Sequence, residues 1–115
     1  MLHRADLVVV NRAEYAALPD LRTAQALAVT DGPRGAALLR HGRQVAVATP
    51  PPVDAVDGTG AGDAFIAAAV AGLLHGLPDA ELLARACAAG ALAATRPGAQ
   101  PSLPTAAQID RVLAR

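Results

Sequence analysis

Along the chain, apolar and polar positions change period several times, and each change marks an element. Leu7 to Val10 is a short β-branched run that stops at Asn11. Arg12 to Leu18 then turns helical in composition before Pro19, which predicts a strand followed by a short helix. Ala24 to Leu27 continues in helical composition into a brief extended segment, Ala28 to Thr30, closed by the turn Asp31-Gly32-Pro33. Ala36 to Arg40 and Gln44 to Thr49 flank His41-Gly42, with Val45 and Val47 on one face, the pattern of a β-hairpin. Pro50, Pro51 and Pro52 lack backbone donors and predict an extended connector. Beyond it, Val53 to Val56 leads into a glycine loop, Asp57 to Asp63, and Ala64 to Leu77 reads as a helix of small and apolar residues. Asp79 is a predicted N-cap for a second alanine-rich helix, Ala80 to Thr95, which Arg96-Pro97-Gly98 ends. Thr105 caps a short final helix, Ala106 to Ala114.

Composition narrows what these elements can build. The 115 residues suit one small domain. Hydrophobic residues make up 53%, but aromatics only 2%, Tyr15 and Phe65. Much of the apolar content is alanine, which gives tight helix packing and a thin core. Ten basic and ten acidic residues cancel, so the chain carries no electrostatic footprint for nucleic acid or an anionic membrane. The single cysteine, Cys87, excludes an internal disulfide and a cysteine metal cluster and suits a reducing compartment, so a cytoplasmic location is expected. Met1 to Asp6 lacks the pattern of a signal peptide, and the longest apolar stretch, Ala64 to Leu77, is interrupted by glycines and His75.

The chemistry concentrates in the glycine loop. Gly58, Gly60 and Gly62 followed by a helix place unhindered backbone N–H groups at a helix N-terminus, an arrangement that binds anions. Backbone donors from Gly60, Ala61 and Gly62 can hold phosphate oxygens, and Asp63 beside them can take a hydroxyl proton as general base. The same residues also satisfy a second reading, a tight turn in which Asp63 complements the helix dipole. Spacing alone leaves both open. A Walker A loop is excluded because no Lys-Ser or Lys-Thr follows the last glycine. The dinucleotide fingerprint is disfavoured because the region about twenty residues on is helical.

Asp57-Gly58-Thr59-Gly60-Ala61-Gly62-Asp63-Ala64-Phe65 resembles the C-terminal signature of ribokinase-like (PfkB-family) sugar kinases. Three further blocks agree in order: Asn11-Arg12-Ala13-Glu14 resembles the Asn-x-x-Glu motif, Thr30 to Gly35 resembles Thr-x-Gly-x-x-Gly, and Gly98 to Ser102 resembles a cation-site loop. The resemblance implies an α/β, partial ribokinase-like fold, with a mostly parallel sheet, flanking helices and a β-hairpin. It implies phosphorylation of a small-molecule hydroxyl by ATP, with Asp63 as base and Gly60, Ala61 and Gly62 as anion hole. Asn11 and Glu14 would organise Mg2+ and phosphates through water. Thr30, Gly32 and Gly35 would lie along the nucleotide with Gly62, and Cys87 would line the adenine pocket. Asp57, Thr59, Ala93, Arg96, Gly98 and Ser102 would frame a K+ site, largely through carbonyl oxygens.

The resemblance covers residues 1–115 as the C-terminal, ATP-binding part of such a kinase. Asn11 stands only ten residues from the start. The substrate and lid half of a typical member lies before that motif and is expected to be absent. Two functions follow: the catalytic part of a kinase completed by a longer chain, a complementary N-terminal half or a homodimer, or a non-catalytic remnant that binds nucleotide or another protein. The expected ligands are ATP and an alcohol acceptor, with neither nucleic acid nor membrane.

Overall fold

The computed structural model describes residues 7–18, 24–53, 60–95 and 103–114. Strand β1 (Leu7–Asn11) runs into helix α1 (Arg12–Ala17), and β2 (Ala26–Thr30) returns beside it. A 3-10 turn at Gly32–Arg34 leads to β3 (Ala36–Arg40) and β4 (Arg43–Ala48). Three helices follow: α2 (Ala61–Leu74), α3 (Asp79–Ala94) and α4 (Ala106–Leu113).

The sheet order is β1-β2-β3-β4. β1 and β2 pair in parallel, with Leu7 opposite Ala26 and Asn11 opposite Thr30. The other two pairings are antiparallel, so the sheet among the described residues is mixed where a mostly parallel one was expected. The connections explain this: a strand joined through a helix can return parallel, whereas a short turn forces the next strand to run back. At the hairpin, His41 (φ 52°) and Gly42 (φ 81°) are both left-handed, the signature of a two-residue type I′ turn. Leu38 faces Ala46 and Leu39 faces Gln44, so β4 carries one extra residue, Val45, at a bulge.

Side chains alternate across the sheet to make two apolar faces. One face, with Ala26, Ala28 and Leu38, packs against Phe65 and Ala69 of α2 and Leu82, Leu83, Ala86 and Cys87 of α3. The other, with Val10, Leu27, Val29 and Leu39, is covered by Tyr15 of α1. Helix α4 adds Ile109 and Val112 to Ala64, Ala88 and Ala89. The core is thin, as the alanine content predicts. Its largest fully buried side chains are Leu27, Leu38, Leu82 and Leu83. Helices α2 and α3 approach closely because a Cβ at Gly72 would sit 2.9 Å from Leu82 Cγ.

Several boundaries differ from the sequence expectation. Ala26 and Leu27 belong to β2, where Leu27 alternates with Val29 in the core, so no helix continues through them. Helix α2 begins at Ala61, because the Ala64 N–H already reaches the Gly60 carbonyl at 3.0 Å. It ends at Leu74 because Gly76 (φ 69°) forms a Schellman closure, with Leu77 N–H on Gly72 O and Gly76 N–H on Leu73 O. Asp79 lies inside α3, with Pro78 at the N-cap. Its carboxylate is taken by Arg40 at the end of β3, through Nε at 3.0 Å and Nη2 at 2.7 Å. That hydrogen bond raises the guanidinium pKa above its ordinary value against the opposing effect of burial.

The turn before β3 depends on one glycine. Gly35 has φ 119°, and a Cβ there would stand 2.3 Å from the Ala48 carbonyl oxygen. Gly32 is also left-handed (φ 56°) but faces open space. Gly35→Ala is expected to cost more than ~2 kcal/mol and Gly32→Ala only ~1 kcal/mol. Urea denaturation of the two variants should give that order.

Candidate functional site

The parallel register brings Asn11 and Thr30 side by side at the carboxyl ends of β1 and β2. In open α/β sheets this is where ligand crevices form. Thr30 Oγ1 donates to the Val10 carbonyl at 3.3 Å, which ties the two strand ends together. Asn11 and Glu14 form a reciprocal capping box: Asn11 Oδ1 accepts from Glu14 N–H, and Glu14 Oε1 accepts from Asn11 N–H, each at 2.8 Å. Both residues are exposed, and the box leaves the Asn11 amide nitrogen and Glu14 Oε2 facing outward. The turn after Thr30 is closed by Asp31 N–H on Gly35 O (2.8 Å) and Gly35 N–H on Gly32 O (3.1 Å). Asp31 also stands 3.5 Å from Arg12 Nε.

The first turn of α2 carries the second group of residues expected at the site. Gly60 is its N-cap with φ 86°, and no side chain caps the helix. The N–H groups of Ala61, Gly62 and Asp63 precede the first intrahelical donor, Ala64, and so have no partner within the helix. Asp63 is exposed and makes no hydrogen bond or ion pair among the described residues, so its carboxylate is available beside those donors. The turn is held from behind by α3: a Cβ on Gly90 would lie 3.3 Å from the Ala61 carbonyl. Nothing in the local sequence separates Gly90 from the surrounding alanines, and sequence reasoning missed it.

Cys87 is buried in the α3 layer, its thiol 3.9 Å from the Ala48 carbonyl at the end of β4. Burial pushes the thiol up from 9.0 to about 11. Ala93 lies in the last turn of α3, where its carbonyl is approached by the N–H of the C-cap residue Thr95. Asp57, Thr59, Arg96, Gly98 and Ser102 lie outside the described residues. A groove of about 430 Å3 between α2, α3 and α4 is lined by Ala64, Ala68, Arg85 and Ile109 among others, and by none of the residues expected at the nucleotide. No helix among the described residues is long and apolar enough to cross a membrane.

The mixed sheet with its flanking helices has the ribokinase-like fold. The pfkB carbohydrate kinase family model matches residues 1–106, and the chain belongs to that family. It is 46% identical over 93 residues to a fructokinase from Klebsiella pneumoniae, covering 76% of this chain and 30% of the fructokinase. A candidate ribokinase II from Escherichia coli in complex with ATP and Mg2+ superposes with a TM-score of 0.84 at 26% identity, over 98% of this chain and 40% of that one. A nucleoside kinase from Burkholderia thailandensis in complex with inosine gives 0.81 at 29% identity, over 93% of this chain and 38% of that one. The chain thus spans about a third of the fructokinase and two-fifths of these kinases.

Two expectations follow from the packing. Gly90→Ala should leave stability little changed, since helix propensity favours alanine by up to ~1 kcal/mol. It should shift the amide resonances of Gly60 to Asp63, whereas Gly62→Ala, whose Cβ meets nothing within 4 Å, should leave the resonances of neighbouring turns in place. Cys87 should react slowly with a disulfide reagent at pH 8 and rapidly in denaturant. Because the fold holds the thiol proton more tightly, stability is insensitive to this group below about pH 9 and falls as pH rises from 9.0 to about 11.

Proposed function

We propose that this chain is the nucleotide-binding and catalytic-base part of an ATP-dependent kinase that phosphorylates a hydroxyl on a sugar or related small molecule. The observation that carries the reading is Asp63, exposed and without a partner among the described residues in the first turn of α2, directly beside N–H groups that have no partner within the helix. In the proposed reaction the acceptor oxygen attacks the γ-phosphorus, ADP leaves, and Asp63 takes the hydroxyl proton. The N–H groups of Gly60, Ala61 and Gly62 form the anion hole for the transferring phosphoryl oxygens. Thr30, Gly32 and Gly35 shape the strand-end turn along the nucleotide. Cys87 acts as packing beneath this region.

The donor set suits magnesium held mostly by phosphate and water. No group of three or more His, Cys, Asp or Glu side chains comes together among the described residues. Glu14 Oε2, an acceptor, would take a hydrogen bond from a water on such an ion, which keeps several waters, and the Asn11 NH2, a donor, would suit a phosphate oxygen. Magnesium bound there would offset charge on the phosphates. A K+ site framed by Asp57, Thr59, Ala93, Arg96, Gly98 and Ser102 is part of the proposal, as is a cytoplasmic setting.

In this reading the acceptor is held by structure beyond these 115 residues, in a longer chain, a complementary N-terminal half or a homodimer. Helix α2 supports this. Ile66, Val70 and Leu74 recur every fourth residue along it and are 42%, 42% and 81% exposed, although its other faces are apolar too. A helix apolar on all sides belongs inside a larger fold. A second reading is a non-catalytic remnant that binds nucleotide or another protein.

Calorimetric titration with MgATP should show binding that Gly60→Val abolishes. Asp63→Asn should bind MgATP as the wild type does. In the complete kinase it should lower kcat by about 10²–10⁴-fold. Nucleotide binding without transfer by any assembly containing the chain would favour the remnant, and a folded wild type that does not bind would overturn both nucleotide readings.

A further inference from the structure

The register that pairs Asn11 with Thr30 also sets the residues that follow them, Arg12 and Asp31, next to each other just beyond the strand ends. Arg12 Nε lies 3.5 Å from Asp31 Oδ2, and Arg34 Nη1 lies 4.0 Å from the same oxygen. Asp31 is fixed from its backbone side, since its N–H donates to Gly35 O and its carbonyl accepts from Arg34 N–H. The turn thus holds the Asp31 backbone, and Arg12 leans toward its carboxylate. The Arg12 side chain remains 65% exposed, and Nε is its nearest approach to the Asp31 carboxylate.

The geometry points to Arg12 as a phosphate-binding residue that contacts the nucleotide polyphosphate, with Asp31 as the positioning residue that aims it. This rests on the nucleotide reading of the strand-end crevice proposed above. Anchoring through Nε leaves four N–H donors of a planar fork, the geometry that matches two oxygens of one phosphate. Lysine cannot reproduce this, because its ammonium is a point charge without the fork. Arg34, 84% exposed and farther from Asp31, is held less firmly. The local charges of Arg12 and Arg34 against Asp31 and Glu14 cancel, so the attraction is short-ranged and directional.

The test is calorimetric titration of MgATP and, separately, of adenosine into the wild type, Arg12→Ala, Arg12→Lys and Asp31→Asn, with melting curves to show that each variant is folded. Arg12→Ala should weaken MgATP binding about tenfold, the scale of one charge-assisted hydrogen bond, and leave adenosine binding unchanged. Arg12→Lys should recover part of the loss, and Asp31→Asn should weaken MgATP about threefold, again without effect on adenosine. Arg12→Ala binding MgATP within twofold of the wild type would overturn the inference while leaving the nucleotide reading intact. Equal losses for MgATP and adenosine would also overturn it, by showing a structural role. A folded wild type that binds neither ligand would remove the nucleotide reading and this inference together.

Discussion

The close approach of α3 to the back of α2 is the contact on which the rest of the site depends. Two glycines without left-handed geometry make it possible: Gly72 receives Leu82, and Gly90 receives the carbonyl of Ala61. Between them Ala69, Ala86 and Ala88 are completely buried, so the helices meet nearly backbone to backbone. Interiors are packed at crystal density, and a side chain larger than alanine at these positions would be felt as displacement. The displaced element would be the first turn of α2, which carries Gly60, Ala61, Gly62 and Asp63.

Support for that turn passes from the sheet through α3. Cys87 and Ala86 lie against the strand layer, and Arg40 at the end of β3 grips Asp79 in the first turn of α3. A carboxylate at a helix N-terminus also suits the helix dipole, so Asp79 serves two interactions at once. The arrangement places a rigid scaffold beneath residues that are themselves exposed. Asp63, Asn11 and Glu14 are all at the surface, and among the described residues only the reciprocal cap orients Asn11 and Glu14.

At the strand ends, one motif performs two jobs. Asn11 and Glu14 form a capping box that starts the six-residue α1, and helices this short depend on such caps. The same two side chains are the pair that the family resemblance assigns to magnesium and phosphate. The two roles are compatible because each side chain commits one polar atom to the cap and keeps another outward.

Much was legible in the sequence. β-branched runs, the His41-Gly42 turn, the proline connector and the Thr105 cap each act within a few residues, so local chemistry set β1, the β3–β4 hairpin and α4 almost to the residue. The motifs pointed to the pfkB family for the same reason, since the glycine loop and Asp63 are contiguous. What only the tertiary structure decided were pairings across distance. The in-register pairing of Asn11 with Thr30 sets Arg12 against Asp31, Arg40 takes Asp79 from its expected capping role, and Gly90 stands behind Ala61. No local signal encodes these contacts, because each depends on where a separate element packs. Helix α2 shows both sides of the division: its ends are set by local signals, the Gly60 carbonyl and the Schellman closure at Gly76, whereas the packing that brings Gly90 behind its first turn comes from a separate helix.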